Sequence, residues 1–301
     1  MQPVFVGDVQ GCAAELANLL ERVRGVHGED FELWLVGDLV NRGPANLQAL
    51  QAVRPLVEQG RARYVLGNHE IWLLESFFGR RPLRHPDTMG DLLAGPDIDD
   101  WVEWIRRRPL VETGELSGRP FAMVHAAVHP DWTLETLVRR AREVEARLGH
   151  PDRNVAKRLL ASDPERDAVL DALLLITNCR SVGPDGSWSS GEPAAPAVPW
   201  HAAWSLRAHG YGVVYGHWAL QGLHVAPGLR GLDTGCVHHG RDHEGFLTAW
   251  LPKLAREDPF ALPDREFWQV RAYQRYYREP SPGKETHRSV GKNGPRLKET
   301  D

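Results

Sequence analysis

The sequence is poor in cysteine, has no long apolar run and carries little net charge. Cys12, Cys179 and Cys236 are its three cysteines, an odd set that makes no even disulfide framework. No stretch is apolar for long enough to span a bilayer, and no basic-then-apolar leader precedes the first apolar run at Val4. These absences predict a reduced, cytoplasmic protein with no membrane partner. A formal net charge of −4 over 301 residues removes any global electrostatic case for nucleic acid or an anionic membrane. A polyanionic substrate would therefore need a local site to supply the positive field. Rival catalytic signatures are missing too. "GDVQG" is neither a dinucleotide fingerprint nor a phosphate loop ending in Lys-Ser/Thr, no Cys is followed six residues later by Arg, and no His-Glu-x-x-His occurs. What remains, 42% hydrophobic and 25% charged residues, is the composition of an ordinary globular protein able to bury a full core.

The N-terminal third alternates two kinds of segment. Apolar runs at Val4–Val6, Leu33–Val36 and Tyr64–Leu66 read as strands buried on both faces, since they lack the alternation of a half-exposed strand. Between them, Leu16, Leu19, Leu20 and Val23 mark a helix face ended by Gly25. Leu47, Leu50, Val53 and Val57 mark another, ended by Gly60. Strand–helix–strand–helix–strand predicts βαβ units and a parallel sheet. From about 71 to 200 the pattern is mostly helical. Leu134, Leu137, Val138, Ala141 and Leu148 form an apolar stripe, and Arg139, Arg140 and Arg142 form its solvated side. A hairpin of Leu110–Leu116 with Phe121–His125 interrupts these helices, and Gly183–Pro199 reads as a surface loop. Strand patterns return at Gly212–Gly216 and Phe246–Leu251. The reading is one catalytic domain over 1–280, with a helical insertion at about 71–200 and a disordered basic tail over 281–301.

The chemistry lies in what ends the apolar runs. "VFVGD" ends at Asp8, "LWLVGD" at Asp38, "RYVLGNHE" at Asn68 and His69, "FAMVH" at His125 and "VVYGH" at His217. In open α/β sheets ligands bind at the carboxyl ends of the strands. Positions 8, 38 and 68 are each 30 residues apart, the length of a βαβ unit, so every crossover returns the chain to the same rim. Singly, each is bland: a Gly-Asp turn, an Asn N-cap, a structural histidine. Jointly, two carboxylates, an amide oxygen and two imidazoles make a mixed O/N set suited to Mn²⁺, Fe, Co²⁺ or Zn²⁺. That many candidates permits two metals sharing a carboxylate, the recurring solution for phosphoester hydrolysis.

These motifs resemble those of the metallophosphoesterases of the calcineurin-like, phosphoprotein-phosphatase type. That family is marked by Gly-Asp-x-His-Gly, Gly-Asp-x-Val-Asp-Arg-Gly and Gly-Asn-His-Glu; here they stand as "GDVQG" at 7–11, "GDLVNRG" at 37–43 and "GNHE" at 67–70. The words "GDVQGC", "LWLVGDLVNRGP", "VLGNHEIWLL", "ITN" and "GHWAL…GLDTGC" are similar, in order, to bacterial symmetrical diadenosine tetraphosphatases, over residues 4 to about 236. The resemblance implies an αββα sandwich of two mixed sheets with a mostly helical insertion, and two divalent ions, Mn foremost, with Co, Mg, Fe and Zn as alternatives. Asp8, Gln10 and Asp38 would hold the first metal, with Asp38 bridging, and Asn68, His125 and His217 would complete the second. Arg42 would clamp a phosphate, Arg180 would be a further clamp, and His69 would be the general acid. A metal-bridging hydroxide would cleave a symmetrical dinucleoside tetraphosphate into two nucleoside diphosphates, and nucleoside-tetraphosphate RNA caps offer the same bond.

Two departures stand out. Gln10 replaces the family's His, which as a neutral oxygen ligand would move the first site toward Mn²⁺ or Mg²⁺. Asn41 replaces the Asp that would orient His69; it could hydrogen-bond the ring without stabilising its cation. They motivate one alternative, a catalytically inactive nucleotide sensor, while a Ser/Thr or Tyr phosphoprotein phosphatase is the alternative with the same chemistry. Trp72, Trp101, Trp104 and Trp132 offer base-stacking surfaces, with core positions as the competing reading. The sequence assigns no oligomeric state.

Overall fold

The computed structural model describes residues 1–241 and 243–276; the expected basic tail at 281–301 lies outside them. The first third runs β1 (Gln2–Val6), α1 (Ala13–His27), β2 (Phe31–Leu35), α2 (Asn46–Glu58), β3 (Ala62–Tyr64) and α3 (Asn68–Phe77). β1, β2 and β3 are parallel neighbours, so both crossovers return to one rim as the spacing requires. α1 runs through Gly25 and stops at Gly28, whose φ of +60° places it in the left-handed region and whose N–H reaches Arg24 O. A Cβ at Gly25 would meet nothing within 4 Å, so that glycine is no stop signal. On α2 the buried apolar face is Ala49, Leu50, Val53 and Leu56, while Leu47 points to solvent. The run at 64–66 leaves the ladder after Val65, whose N–H still reaches Leu35 O at 3.2 Å, since Leu66 N–H turns to Pro109 O.

The middle holds α4 (Gly90–Leu93), α5 (Ile98–Ile105), the hairpin β4 (Glu112–Leu116) and β5 (Arg119–Met123), then α6 (Leu134–Leu148), α7 (Arg153–Leu159) and α8 (Ala168–Asn178). α6 buries Leu137, Ala141, Val144 and Leu148, and its outer arginines Arg139 and Arg142 pair with Glu143 and Glu145. The segment expected to be a plain surface loop instead forms a small antiparallel ribbon: β6 (Ser181–Val182) pairs with both β7 (Trp188–Ser189) and β8 (Val198–Pro199). Its strands are two residues long, too short for any periodic signal. After α9 (Trp200–Ser205) come β9 (Gly212–Tyr215), β10 (His224–Ala226), β11 (Leu229–Gly231), β12 (Asp233–Thr234), a 3₁₀ turn at Cys236–His238, β13 (Phe246–Trp250) and β14 (Phe267–Arg271).

Two mixed sheets result. One has the order β12-β13-β1-β2-β3, with β14 on β13; the other is β10-β11-β9-β5-β4, in which β5, β9 and β11 are parallel. They pack face to face through an aromatic seam in which Phe5 meets Trp34, Phe121 and Trp250 at 5.2–5.4 Å between ring centres. Because neighbours on a strand face opposite ways, Val4 and Val6 join the core under α1, while Ala122 and Val213 join the core that includes α6 and α8. Strands buried on both sides explain runs without alternation. This is the αββα sandwich, and the hairpin inside the helical stretch supplies two strands of its second sheet.

Candidate metal centre

Each sheet delivers part of the site. Asp8, Asp38 and Asn68 follow β1, β2 and β3; His125 and His217 each stand two residues beyond β5 and β9. All five are 4% exposed or less, or half-buried in the case of His217. Asp8, Asp38 and His125 present ligand atoms all within 4.8 Å of one another. Two glycines make room. A Cβ on Gly216 would collide with Asp8 Oδ1, and one on Gly67 would collide with Asp38 Oδ1, so these carboxylates pack directly on backbone.

The imidazoles are fixed by their outer nitrogens. His125 Nδ1 donates to Val36 O at 2.9 Å, and His217 Nε2 donates to Asn178 O at 3.2 Å. Their inner nitrogens, His125 Nε2 and His217 Nδ1, are then lone pairs. Both lie 2.9 Å from Asn68 Oδ1, and His125 Nε2 also lies 3.4 Å from Asp38 Oδ1. Four lone-pair atoms facing one point repel unless a cation sits among them. The donor set therefore fits a divalent metal beside Asp8 and Asp38.

Electrostatics carries the same message. Burial pushes Asp38 up to about 7, against hydrogen bonds from His69 N–H and the Gln10 amide. Asp233 is likewise pushed up to about 7 by burial, with Asp38 adding to it. Asp8 is raised well above the carboxylate range by burial, then by Asp233 and Asp38. Burial lowers His125 to about 4 and holds His217 and His69 low, which suits neutral imidazoles. Several buried carboxylates at one rim need positive charge, and a divalent ion supplies it.

The backbone is strained where the site is built. Gln10, Asp38, Asn41, Arg42 and His217 all take φ between +46° and +76°, conformations that side-chain-bearing residues rarely hold. Glu70 explains how one loop is kept there. Its Oε2 accepts the N–H groups of Asp38 and Gly67, and its Oε1 those of Leu39 and Val40, at 2.9–3.3 Å.

The other expected residues fall as follows. Gln10 reaches the centre with its donor end: Nε2 donates to Asp38 Oδ2 at 3.2 Å, because a buried carboxylate attracts the amide nitrogen rather than its oxygen. The expected Asn41–His69 hydrogen bond is replaced by others. His69 Nδ1 donates to Val40 O at 3.2 Å, while Asn41 Nδ2 donates to Asp87 and its Oδ1 accepts Arg42 and Thr88 N–H. Arg42 lies over Trp72, with Nη1 3.4 Å from Asp87 Oδ1. Trp72 stacks on His69 at 4.7 Å, whereas Trp101 and Trp104 are core and Trp132 is half-buried under Arg140. Arg180 donates to Ser190 O, stands 3.8 Å from Glu192 and lines one cleft together with His217.

The calcineurin-like phosphoesterase family model matches residues 1–221. The chain belongs to that family. Bis(5'-nucleosyl)-tetraphosphatases of the symmetrical type from Burkholderia pseudomallei (strain 668) and Burkholderia thailandensis are each 37% identical to it over 254 residues, covering 79% of this chain and 87% of theirs. A solved structure assigned provisionally as a diadenosine tetraphosphatase aligns with TM-score 0.59 at 23% identity, over 90% of this chain and 94% of its own. A serine/threonine phosphatase from Saccharomyces cerevisiae aligns with TM-score 0.50 at 13% identity, over 93% and 82%. At those identities the likeness is one of fold. As a calcineurin-like phosphoesterase the chain is a metal-dependent hydrolase. No helix among its described residues is long and apolar enough to cross a membrane.

Three residues of this phosphoesterase site were not singled out from sequence. Asp233 follows β11 by two residues, the same strand-end signal as the others, inside "LDTGC". Glu70 completes "GNHE", and its position three residues into the helix start was a capping signal. Asp87 lies in an irregular stretch with no signal at all.

Proposed function

We propose that this phosphoesterase splits symmetrical dinucleoside tetraphosphates, such as diadenosine tetraphosphate, into two nucleoside diphosphates. The supporting observation is the convergence of the Asn68, His125 and His217 lone pairs beside Asp8 and Asp38, in a chain whose relatives bear that name at 37% identity. Asp8 and Asp38 would hold the first of two divalent ions, Mn²⁺ being our assignment, with Gln10 fixing Asp38 through its amide. Asn68, His125 and His217 would hold the second, with Asp38 available to both. Bound, the ions supply Lewis acidity toward phosphoryl oxygens and water.

Arg42 takes a phosphate from one side and Arg180 from the other, supplying the local positive field that the overall charge lacks. His69 keeps its Nδ1–H on Val40 O, which aims Nε2 at the centre, 3.8 Å from Asp38 Oδ2. Burial and the Arg42 charge lower its proton affinity, and the arriving polyphosphate charge offsets both. A proton carried on Nε2 then passes to the leaving phosphate oxygen. Nucleoside-tetraphosphate RNA caps present the same linkage and are a second substrate class for this centre.

Product analysis with diadenosine tetraphosphate and Mn²⁺ or Co²⁺ is the test. ADP alone is expected; ATP plus AMP, or no turnover, overturns the reading. Faster turnover of a phosphopeptide would favour a protein phosphatase, and tight dinucleotide binding without turnover under any divalent ion would favour a sensor.

A further inference from the structure

Apart from the catalytic rim, the fold gathers a different group of ligand atoms, two of them sulfur. Cys12 Sγ, a carboxylate oxygen of Glu15 and Cys236 Sγ all lie within 4.8 Å of one another, and all three residues are buried. Three separate segments build the group. Cys12 stands just before α1 and Glu15 three residues on, a spacing that puts both on one side of the helix start. Cys236 opens the 3₁₀ turn that follows β12. The chain after β14 closes over them, Tyr273 N–H and the Tyr276 hydroxyl each donating to Glu15 Oε1 at 2.7 Å.

The other oxygen of that carboxylate carries the argument. Glu15 is 0% exposed, and its Oε2 is buried with no hydrogen-bond partner. Buried charges in proteins are paired or coordinate metals, and here two sulfurs stand beside the carboxylate. The donor set selects the ion. Thiolates favour Zn²⁺, whereas Mn²⁺ and Mg²⁺ favour oxygen, so this group asks for a softer cation than the O/N set of the rim. Two sulfurs bound tetrahedrally to zinc at ~2.3 Å stand ~3.8 Å apart, inside the spacing the group already has. Three protein ligands with water in the fourth place is an established zinc arrangement. Tyr273 and Tyr276 hold the carboxylate in position through Oε1 and leave Oε2 for the ion.

We propose that Cys12, Glu15 and Cys236 form a metal site distinct from the catalytic centre, for one thiophilic divalent cation such as Zn²⁺. The site ties the start of α1 to the turn after β12. Cys12 lies two residues beyond Gln10, and Cys236 three beyond Asp233, so the tie braces two loops that frame the rim. It does not depend on the tetraphosphatase reading.

The test is optical titration of the chelator-treated full chain with Co²⁺ in a thiol-free reducing buffer. Cobalt held by thiolate sulfur gives an intense near-ultraviolet charge-transfer band, which the O/N ligands of the rim cannot produce. One band-forming Co²⁺ per chain is expected, displaced by Zn²⁺ and not by excess Mn²⁺. Cys236→Ser should lower the band by half or more. Glu15→Gln should keep the band and weaken Co²⁺ at this site at least tenfold, and Cys179→Ser should leave it unchanged. X-ray absorption of the Zn²⁺-loaded parent needs no variant and should show sulfur at ~2.3 Å beside the lighter scatterers of the rim. No band or no sulfur in the parent, a band lost in Cys179→Ser, or a band and affinity unchanged in Cys236→Ser or Glu15→Gln each overturns the proposal.

Discussion

Asp87 is a single buried carboxylate with three hydrogen-bond donors and a further ion-pair partner. It accepts Asn41 Nδ2 at 3.0 Å, Arg84 N–H at 2.9 Å and Arg42 Nη1 at 3.4 Å, and pairs with the Arg81 guanidinium at 2.8 Å. Burial alone would raise its pKa; the hydrogen bonds outweigh that and hold it below the usual carboxylate value. Asn41 looked in the sequence like a lost carboxylate beside Arg42, and the fold restores one from 46 residues further along the chain. No reading of "GDLVNRG" could show this, because Asp87 arrives through an irregular segment whose path only tertiary packing sets. Arg42 is the proposed phosphate clamp, so Asp87 acts by positioning it. Asp87→Asn should raise KM for diadenosine tetraphosphate about tenfold, equivalent to ~1.4 kcal/mol, while kcat changes far less. Steady-state kinetics checks this, and an equal fall in kcat would mean that the whole centre had moved.

Among elements, the strands were the most legible and their ends the most informative. The runs Val4–Val6 and Leu33–Val36 fall on the strands Gln2–Val6 and Phe31–Leu35, the second one residue past its end, because burial on both faces removes the period-2 signal; each strand then delivers its Asp to the rim. The two-residue strands of the 181–199 ribbon left no such trace. Leu47 fitted a helical stripe yet faces solvent, since the true face of α2 turns toward Ala49 and Leu56. Glu70 at the start of α3 was legible as part of a motif but not in its effect, which is to hold the loop after β2 in a left-handed conformation. In Glu70→Gln one end of the side chain becomes a donor facing N–H groups of residues 38–40 or 67. A buried unsatisfied pair costs about 1–3 kcal/mol, so the melting temperature should drop by several degrees. Calorimetry should also show weaker Mn²⁺ binding, because Asp38 sits on that loop.

For the molecule as a whole, the rim of acids couples folding to protons and metal. Asp38, Asp233 and Glu70 are each pushed up to about 7, burial being the first cause, while unfolded carboxylates titrate near ~4. Between those values the folded chain binds protons that the unfolded chain releases. The stability these groups contribute is therefore full below about pH 4 and is lost as pH rises toward about 7. In chelator, the melting temperature should fall from about pH 5 to pH 7.5; with Mn²⁺ the fall should shrink or reverse, since the metal binds the deprotonated form. A melting temperature independent of pH in chelator would contradict this picture. The aromatic seam between the sheets has a different kind of consequence, one for light. Trp34 and Trp250 lie sealed between the layers, whereas Trp72 stacks on His69 and Trp218 lines a cleft. Emission from the sealed pair should change colour only when the two sheets part. That of Trp72 and Trp218 should dim as ligand arrives, so one chain carries separate optical reporters of its unfolding and its occupancy.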